Sequence, residues 1–204
     1  INYRAEIFLW TLSSMLPFLM LSIWSESSAR EIINYSTNDL DRYFLGTFIV
    51  RQFSIVWVVK AFEVDLLKGK LSSLIIQPIH PMWRYFSTHI AEQFARLPLV
   101  FGIILIFFII RPSSFWIPSL KVFTLTLLST WFAFLIGFFI HGIISSLCFW
   151  TEKATALERL VGGPFLFLSG LLAPIDAFPP IMQKLTYLTP FPYMISLPAR
   201  ILSG

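Results

Sequence analysis

Charged residues are scarce in this sequence. Lysine, arginine, aspartate and glutamate make up only 13% of its 204 residues, whereas 56% are hydrophobic and the mean hydropathy is +0.76. A soluble domain ordinarily carries about 25% charged residues, so this chain has too few to cover its surface with solvated side chains. The composition therefore excludes an ordinary soluble globular protein and indicates a protein whose surface is solvated by lipid.

Residues that could cross-link the chain or ligate a metal are also few. The single cysteine, Cys148, excludes an internal disulfide, and its apolar neighbours indicate a buried, unreactive thiol. None of the three histidines forms a His-Glu-x-x-His pattern. His89 and Glu92 have a spacing that some metal sites use, but the other spans offer no persuasive further ligand. We therefore predict no metal site and interpret this pair as a hydrogen bond on one helix face.

A phosphate-binding loop is missing as well. Gly69-Lys70-Leu71 lacks both the leading glycine and the hydroxyl residue that such a loop requires. We therefore predict no cofactor on this chain, and any ATP that drives it must bind to a partner.

The basic excess is modest and dispersed. The net charge is +4, and no cluster of the 15 basic residues is denser than Lys68-Gly69-Lys70. This distribution is typical of positive loops that face anionic lipid, and we predict no binding to nucleic acid.

The sequence contains several long apolar runs. Crossing about 30 Å of hydrocarbon takes about 20 residues of helix. Lipid offers no hydrogen-bond partners, so apart from a closed barrel only a helix can pair its own backbone amides and carbonyls there. The sequence therefore predicts an all-α polytopic membrane protein, with a single transmembrane domain over residues 1–204. The predicted spans are about 7–24, 43–62, 83–110, 120–150 and 158–175. The proline-rich stretch that follows is too short and broken to cross, and it predicts a re-entrant or interfacial helix pair at about 177–194.

One segment outside the spans has a helical period. Between about 63 and 77, apolar residues recur every three to four positions and charged residues fall between them. This pattern predicts a short amphipathic helix at the membrane surface. The apolar positions are Val64, Leu67, Leu71, Leu74 and Ile75, and the charged ones are Glu63, Asp65, Lys68 and Lys70.

Polar residues also occur inside the predicted spans. Arg51 and Gln52 lie near the middle of the second span, and His89, Glu92 and Arg96 lie in the first half of the third. Glu92 and Arg96 are four residues apart and can pair along the helix. An unpaired arginine at this depth costs about 2.5–3.5 kcal/mol on insertion scales, so we expect Arg51 to face the bundle, with Glu92 as a candidate partner. Two interpretations stay open, a transport pathway and structural ion pairing.

Orientation and chain ends follow from weaker signals. The densest group of basic residues, at 60–84, favours a cytoplasmic location for the loop after the second span. Ile1 is not an initiator methionine and there is no cleavable signal pattern, so we expect the natural chain to begin earlier.

Four stretches of this chain resemble bacterial ATP-binding-cassette permeases of the type-2 exporter class. They are Leu66–Pro81 (LLKGKLSSLIIQPIHP), Phe167–Pro180 (FLSGLLAPIDAFPP), Thr189–Tyr193 (TPFPY) and Pro198–Leu202 (PARIL). The resemblance covers nearly the whole chain. It implies that the fifth span ends in short extracellular helices before a sixth span, which is absent here because the sequence stops at Gly204. An excerpt from a longer chain accounts for this departure.

The resemblance also implies a mechanism. Two permease subunits, identical or paralogous, pair around a pathway in the bacterial inner membrane, and two separate ATPase subunits bind ATP and magnesium below them. The amphipathic helix is then the coupling helix that seats in a groove of the ATPase. Its residues are Glu63, Asp65, Leu67, Lys68, Lys70, Leu71 and Leu74. Members of this class export lipids, polysaccharides, drugs or peptides.

Two other classes of protein remain as alternatives. An integral membrane enzyme acting on lipid would require convergent His, Asp or Glu residues near one face, and only His89 and Glu92 come close. A non-transporting membrane scaffold is the third hypothesis. Co-purification of an ATPase separates the permease from both.

Overall fold

The computed structural model describes residues 14–29, 36–151 and 153–204. Every regular element in these ranges is a helix, as the sequence predicts. The α-helices are α1 (Leu16–Ala29), α2 (Thr37–Ser54), α3 (Val58–Leu67), α4 (Lys70–Ile75), α5 (Pro81–Ile110), α6 (Leu120–Ser146), α7 (Cys148–Thr151), α8 (Ala154–Leu168), α9 (Pro180–Tyr187), α10 (Phe191–Met194) and α11 (Ser196–Ser203). Short 3₁₀ turns occupy Pro112–Ser114 and Ile175–Ala177.

Three stretches are long and apolar enough to cross a membrane. They are Thr37–Leu67, Pro81–Ile110 and Leu120–Thr151. The predicted third span, 83–110, corresponds to α5, and the predicted fourth span, 120–150, corresponds to α6 and α7. The chain is therefore a multi-pass, all-helical membrane protein.

The two outer predicted spans are less complete. The first, 7–24, begins outside the described residues, and α1 covers its second half. The fifth was expected to run from 158 to 175, but α8 ends at Leu168 after 15 residues. It ends there because Gly170 adopts φ +83°, a left-handed conformation that interrupts a right-handed helix. The predicted pair at 177–194 consists of α9 and α10.

Two segments that we expected to be continuous are broken. The predicted second span, 43–62, is interrupted at residues 55–57, which separate α2 from α3. The predicted surface helix, 63–77, is divided between the last turns of α3 and the short helix α4. Gly69 lies between them at φ +70°, so the second break has the same physical cause as the end of α8.

Helix α2 is the centre of the bundle. It packs against α1, α6 and α11, and Phe44 and Phe48 on it are fully buried. The contact with α11 is close, because a Cβ atom added to Gly46 would lie 3.1 Å from the backbone oxygen of Ala199. Small residues allow helices to approach in this way inside a membrane.

Hydrogen bonds fix α2 near its first turns. The Tyr43 hydroxyl donates to the Gly170 carbonyl at 2.7 Å, and the backbone nitrogen of Ser196 donates to Ser169 O at 3.0 Å. These bonds tie the break after α8 to both α2 and α11. The opposite end of α2 leads into α3 and α4, where the candidate site lies.

Candidate functional site

The apolar residues of the predicted surface helix do not share one outward face. Leu71 and Leu74 are only 2% and 7% exposed and belong to an apolar cluster with Phe62 and Tyr85. The expectation that these two leucines seat in a groove of the ATPase is therefore wrong. The turn at Gly69 redirects α4, so its leucines pack inward against the bundle.

The acidic residues of the same segment have internal partners. A carboxylate oxygen of Glu63 accepts a hydrogen bond from the backbone nitrogen of Thr155 at 2.9 Å, in the first turn of α8. A carboxylate at a helix N-terminus satisfies an amide that has no helical partner and interacts favourably with the helix dipole. Asp65 accepts a hydrogen bond from the Tyr85 hydroxyl at 2.9 Å. Both acids therefore attach α3 to neighbouring helices.

Leu67, Lys68, Lys70, Ile75 and Ile76 remain exposed, and we call this group of residues the tip. Leu67 is 63% exposed, Ile75 is 58% exposed and Ile76 is 85% exposed, and both lysines are exposed. Exposed apolar side chains that are rimmed by polar ones mark interaction surfaces. Sequence reasoning missed Ile76, although its position directly before Gln77 and Pro78 places it at the end of the helix.

A second group of predicted residues meets inside the bundle. Arg96 Nη2 lies 3.2 Å from Glu92 Oε2, so the predicted pair along α5 is present. His89 Nδ1 lies 3.6 Å from the same carboxylate oxygen, which is too far for a hydrogen bond, so the hydrogen bond that we predicted between these two residues is not formed. The Arg96 guanidinium also stacks over the Trp57 ring, 4.5 Å from its centroid. The arginine charge is therefore balanced by a carboxylate and an aromatic face.

Helix α5 also donates hydrogen bonds to the end of α2. Arg96 Nη1 donates to the carbonyl of Gln52 at 2.9 Å, and Gln93 Nε2 donates to the carbonyl of Phe53 at 2.7 Å. Carbonyls in the last turn of a helix have no amide to accept from, and lipid supplies no donor. Two side chains of α5 therefore cap α2 where it breaks. Sequence reasoning did not single out Gln93, because its partner is visible only once the break is known.

Arg51 does not have the partner that we expected. Glu92 pairs with Arg96, and Arg51 makes no ion pair with it, so the pairing that we expected is wrong. Arg51 Nε is buried and has no hydrogen-bond partner among the described residues. The same holds for Gln52 Nε2 and His89 Nδ1.

A metal centre finds no support in the described ranges. No group of three or more His, Cys, Asp and Glu side chains in them could hold an ion. His89 and Glu92 are close to each other but no further ligand joins them.

Comparison with known families decides what kind of protein carries this arrangement. The model of the family described as ABC-2 family transporter protein matches residues 8–204. The chain belongs to this family. It is thus a membrane permease component of an ABC transporter, a class of subunit that is not itself catalytic and normally works with ABC ATPase partners. No curated protein and no solved structure matches the permease.

Proposed function

We propose that this permease forms the translocation pathway of an ATP-driven exporter. It acts as a dimer, either of identical chains or with a paralogue, and separate cytoplasmic ATPase subunits hold ATP and magnesium. The observation that carries the proposal is the tip, because Ile75 and Ile76 are exposed outside the long apolar stretches of the chain and Leu67 is exposed at the last residue of one of them.

The tip is suited to a protein groove for a physical reason. Leu67, Ile75 and Ile76 would gain by transfer from water to an apolar groove, at about 25 cal/mol per Å² of apolar surface buried. Lys68 and Lys70 beside them would remain at the rim, where charges contribute to specificity and association rate. Leu71 and Leu74, which are buried in the apolar cluster, attach the tip to the bundle.

The remaining parts of the proposal concern topology. We place the permease in the bacterial inner membrane with five spans in one domain over residues 1–204, and with the tip in the cytoplasm. In this arrangement α9 and α10 form the re-entrant pair on the extracellular side. The chemistry of the cargo is open among lipids, polysaccharides, drugs and peptides.

Co-purification with a matched pair of variants tests this function. The tagged permease is solubilised gently from membranes, and any ATPase retained is identified by mass spectrometry. Ile76→Asp places a charge in the proposed contact, whereas Ile181→Asp makes the same change at a position on α9 that is 75% exposed. We expect an ATPase with the wild type and with Ile181→Asp, and its loss with Ile76→Asp. Leu71→Asp is unsuitable, because a charge at that buried position would disturb the fold.

Two results would contradict the proposal. Retention of the ATPase by Ile76→Asp would show that the tip is not the contact. Absence of any ATPase from the wild type, together with lipid turnover by the purified chain alone, would favour the membrane enzyme and direct attention to His89 and Glu92.

A further inference from the structure

The interruption between α2 and α3 is held from two sides. We call residues 55–57 the joint. Arg96 and Gln93 on α5 donate to the last carbonyls of α2 on one side of the joint. Trp57, the last residue of the joint, lies against the Arg96 guanidinium. One arginine therefore binds the helix before the joint and the residue that leads into the helix after it.

Helix α6 closes the joint on another side. A Cβ atom added to Gly137 would lie 3.4 Å from the carbonyl oxygen of Ser54 and 3.5 Å from the side chain of Val56. The absence of a side chain at Gly137 therefore lets α6 approach the end of α2 closely. The joint is enclosed by packed helices.

The helices that carry the tip are connected to α2 through the joint and also through α5 and α6, which pack against both. The segment α3 is tied to α8 by Glu63 and to α5 by Asp65. Helix α2 is tied to α5 by Arg96 and Gln93. Two carbonyls at the break accept hydrogen bonds from α5, and a change in the angle between α2 and α3 would have to disturb these bonds.

Two buried polar atoms near the joint make no hydrogen bond with the described residues. Gln52 and His89 are only 2% and 4% exposed, yet Gln52 Nε2 and His89 Nδ1 have no hydrogen-bond partner among the described residues. Buried polar groups without partners are rare and costly.

We propose that Arg96 and Gln93 are positioning residues that transmit displacement of the tip to α2. This inference rests on the proposed function, in which an ATPase moves the tip. With the two residues in place, the joint keeps its angle and α2 moves with α3. Without them, the joint bends and absorbs the displacement, so the ATPase still binds but α2 no longer responds.

Spin labels on α2 and α6 test the inference. Cys148 is replaced by serine, and labels are attached through Thr37→Cys and Lys121→Cys, at exposed positions in the first turns of the two helices. The permease is purified with its ATPase, and the distance between the labels is measured by electron resonance with and without a non-hydrolysable ATP analogue. The wild type is expected to show a shift in this distance on adding the analogue.

Four variants decide between a positioning and a merely structural role. Arg96→Gln and Gln93→Leu are expected to lose the nucleotide-dependent shift while the ATPase still co-purifies. Arg96→Lys keeps the charge and a donor, and it is expected to restore part of the shift. Arg84→Gln, at an exposed position on the same helix, should behave as the wild type.

Other outcomes overturn the inference in distinguishable ways. A full shift in both Arg96→Gln and Gln93→Leu shows that the two residues do not transmit the movement. No shift in the wild type, with ATPase bound, shows that α2 is not displaced at all. Absence of the ATPase from the wild-type preparation contradicts the proposed function itself.

Discussion

Gly170 provides a demanding test of how the helices are joined. Its φ of +83° lies in the left-handed region, and its carbonyl accepts the hydrogen bond from the buried Tyr43 hydroxyl at 2.7 Å. A Cβ atom at this position would lie 2.6 Å from Tyr43 Oη and 2.7 Å from the Cβ of Ser196. Gly170→Ala must therefore displace α2, α11 or the break itself.

The expected cost can be built from three effects. A left-handed conformation costs an alanine about 1–2 kcal/mol. Overpacking costs about 1–3 kcal/mol, and the disturbed hydrogen bond from Tyr43 contributes about 0.6–1.7 kcal/mol inside a membrane protein. The three costs are not additive, because one shift of the backbone would reduce more than one of them. We therefore expect Gly170→Ala to lower the free energy of unfolding by about 3–5 kcal/mol.

Unfolding by SDS in mixed micelles, followed by circular dichroism, measures this change. Gly102→Ala is the matched control, since a Cβ atom there meets nothing within 4 Å. A free energy of unfolding for Gly170→Ala within about 0.5 kcal/mol of that control would refute the reasoning.

Three further changes test other contacts, each by the same unfolding assay unless stated. Gly46→Leu should lower stability by about 1–3 kcal/mol, because even a Cβ atom would lie 3.1 Å from Ala199 O. Asp41→Asn should lower it by about 1.5–3 kcal/mol, because the carboxylate is 1% exposed and accepts a hydrogen bond from Arg111 Nη1 at 3.1 Å. Glu63→Ala should cost about 0.5–2 kcal/mol and speed hydrogen exchange in the first turn of α8, since the carboxylate caps that turn.

The Asp41 and Glu63 variants each have a control at an exposed position. Asp39→Asn changes an exposed carboxylate that accepts a hydrogen bond from Ser36 Oγ at 2.6 Å, and Lys68→Ala removes a charge from the tip without touching α8. If either control destabilises the permease as much as its counterpart, the assigned contact is not the cause.

The long helices could be predicted because their causes are local. Apolar runs of sufficient length define α5 and α6, and the predicted boundaries agree with Pro81–Ile110 and Leu120–Ser146 to within a few residues at most ends. The joint at 55–57 could not be predicted, because Ile55, Val56 and Trp57 include no glycine or proline. The donors that satisfy the broken end of α2 come from α5, some forty residues away in the chain.

In the candidate site, too, features with local causes could be predicted and those that depend on distant residues could not. The Glu92–Arg96 pair follows from spacing along one helix, so the sequence was sufficient for it. The inward direction of Leu71 and Leu74 depends on the left-handed turn at Gly69, which a helical period assumes to be absent. The partners of Glu63 and Asp65 are on other helices, so charge patterning alone could not find them.

Cross-linking in intact membranes tests directly whether the tip contacts an ATPase subunit. A photoreactive phenylalanine derivative is placed at Ile76 in the tip or, as control, at Ile181, and cross-linked products are identified by mass spectrometry. Both positions are highly exposed, at 85% and 75%. We expect a cross-link from position 76, and not from position 181, to a subunit that carries a phosphate-binding loop. Cross-links from position 76 to lipid alone, with no ATPase subunit among the products, would contradict it.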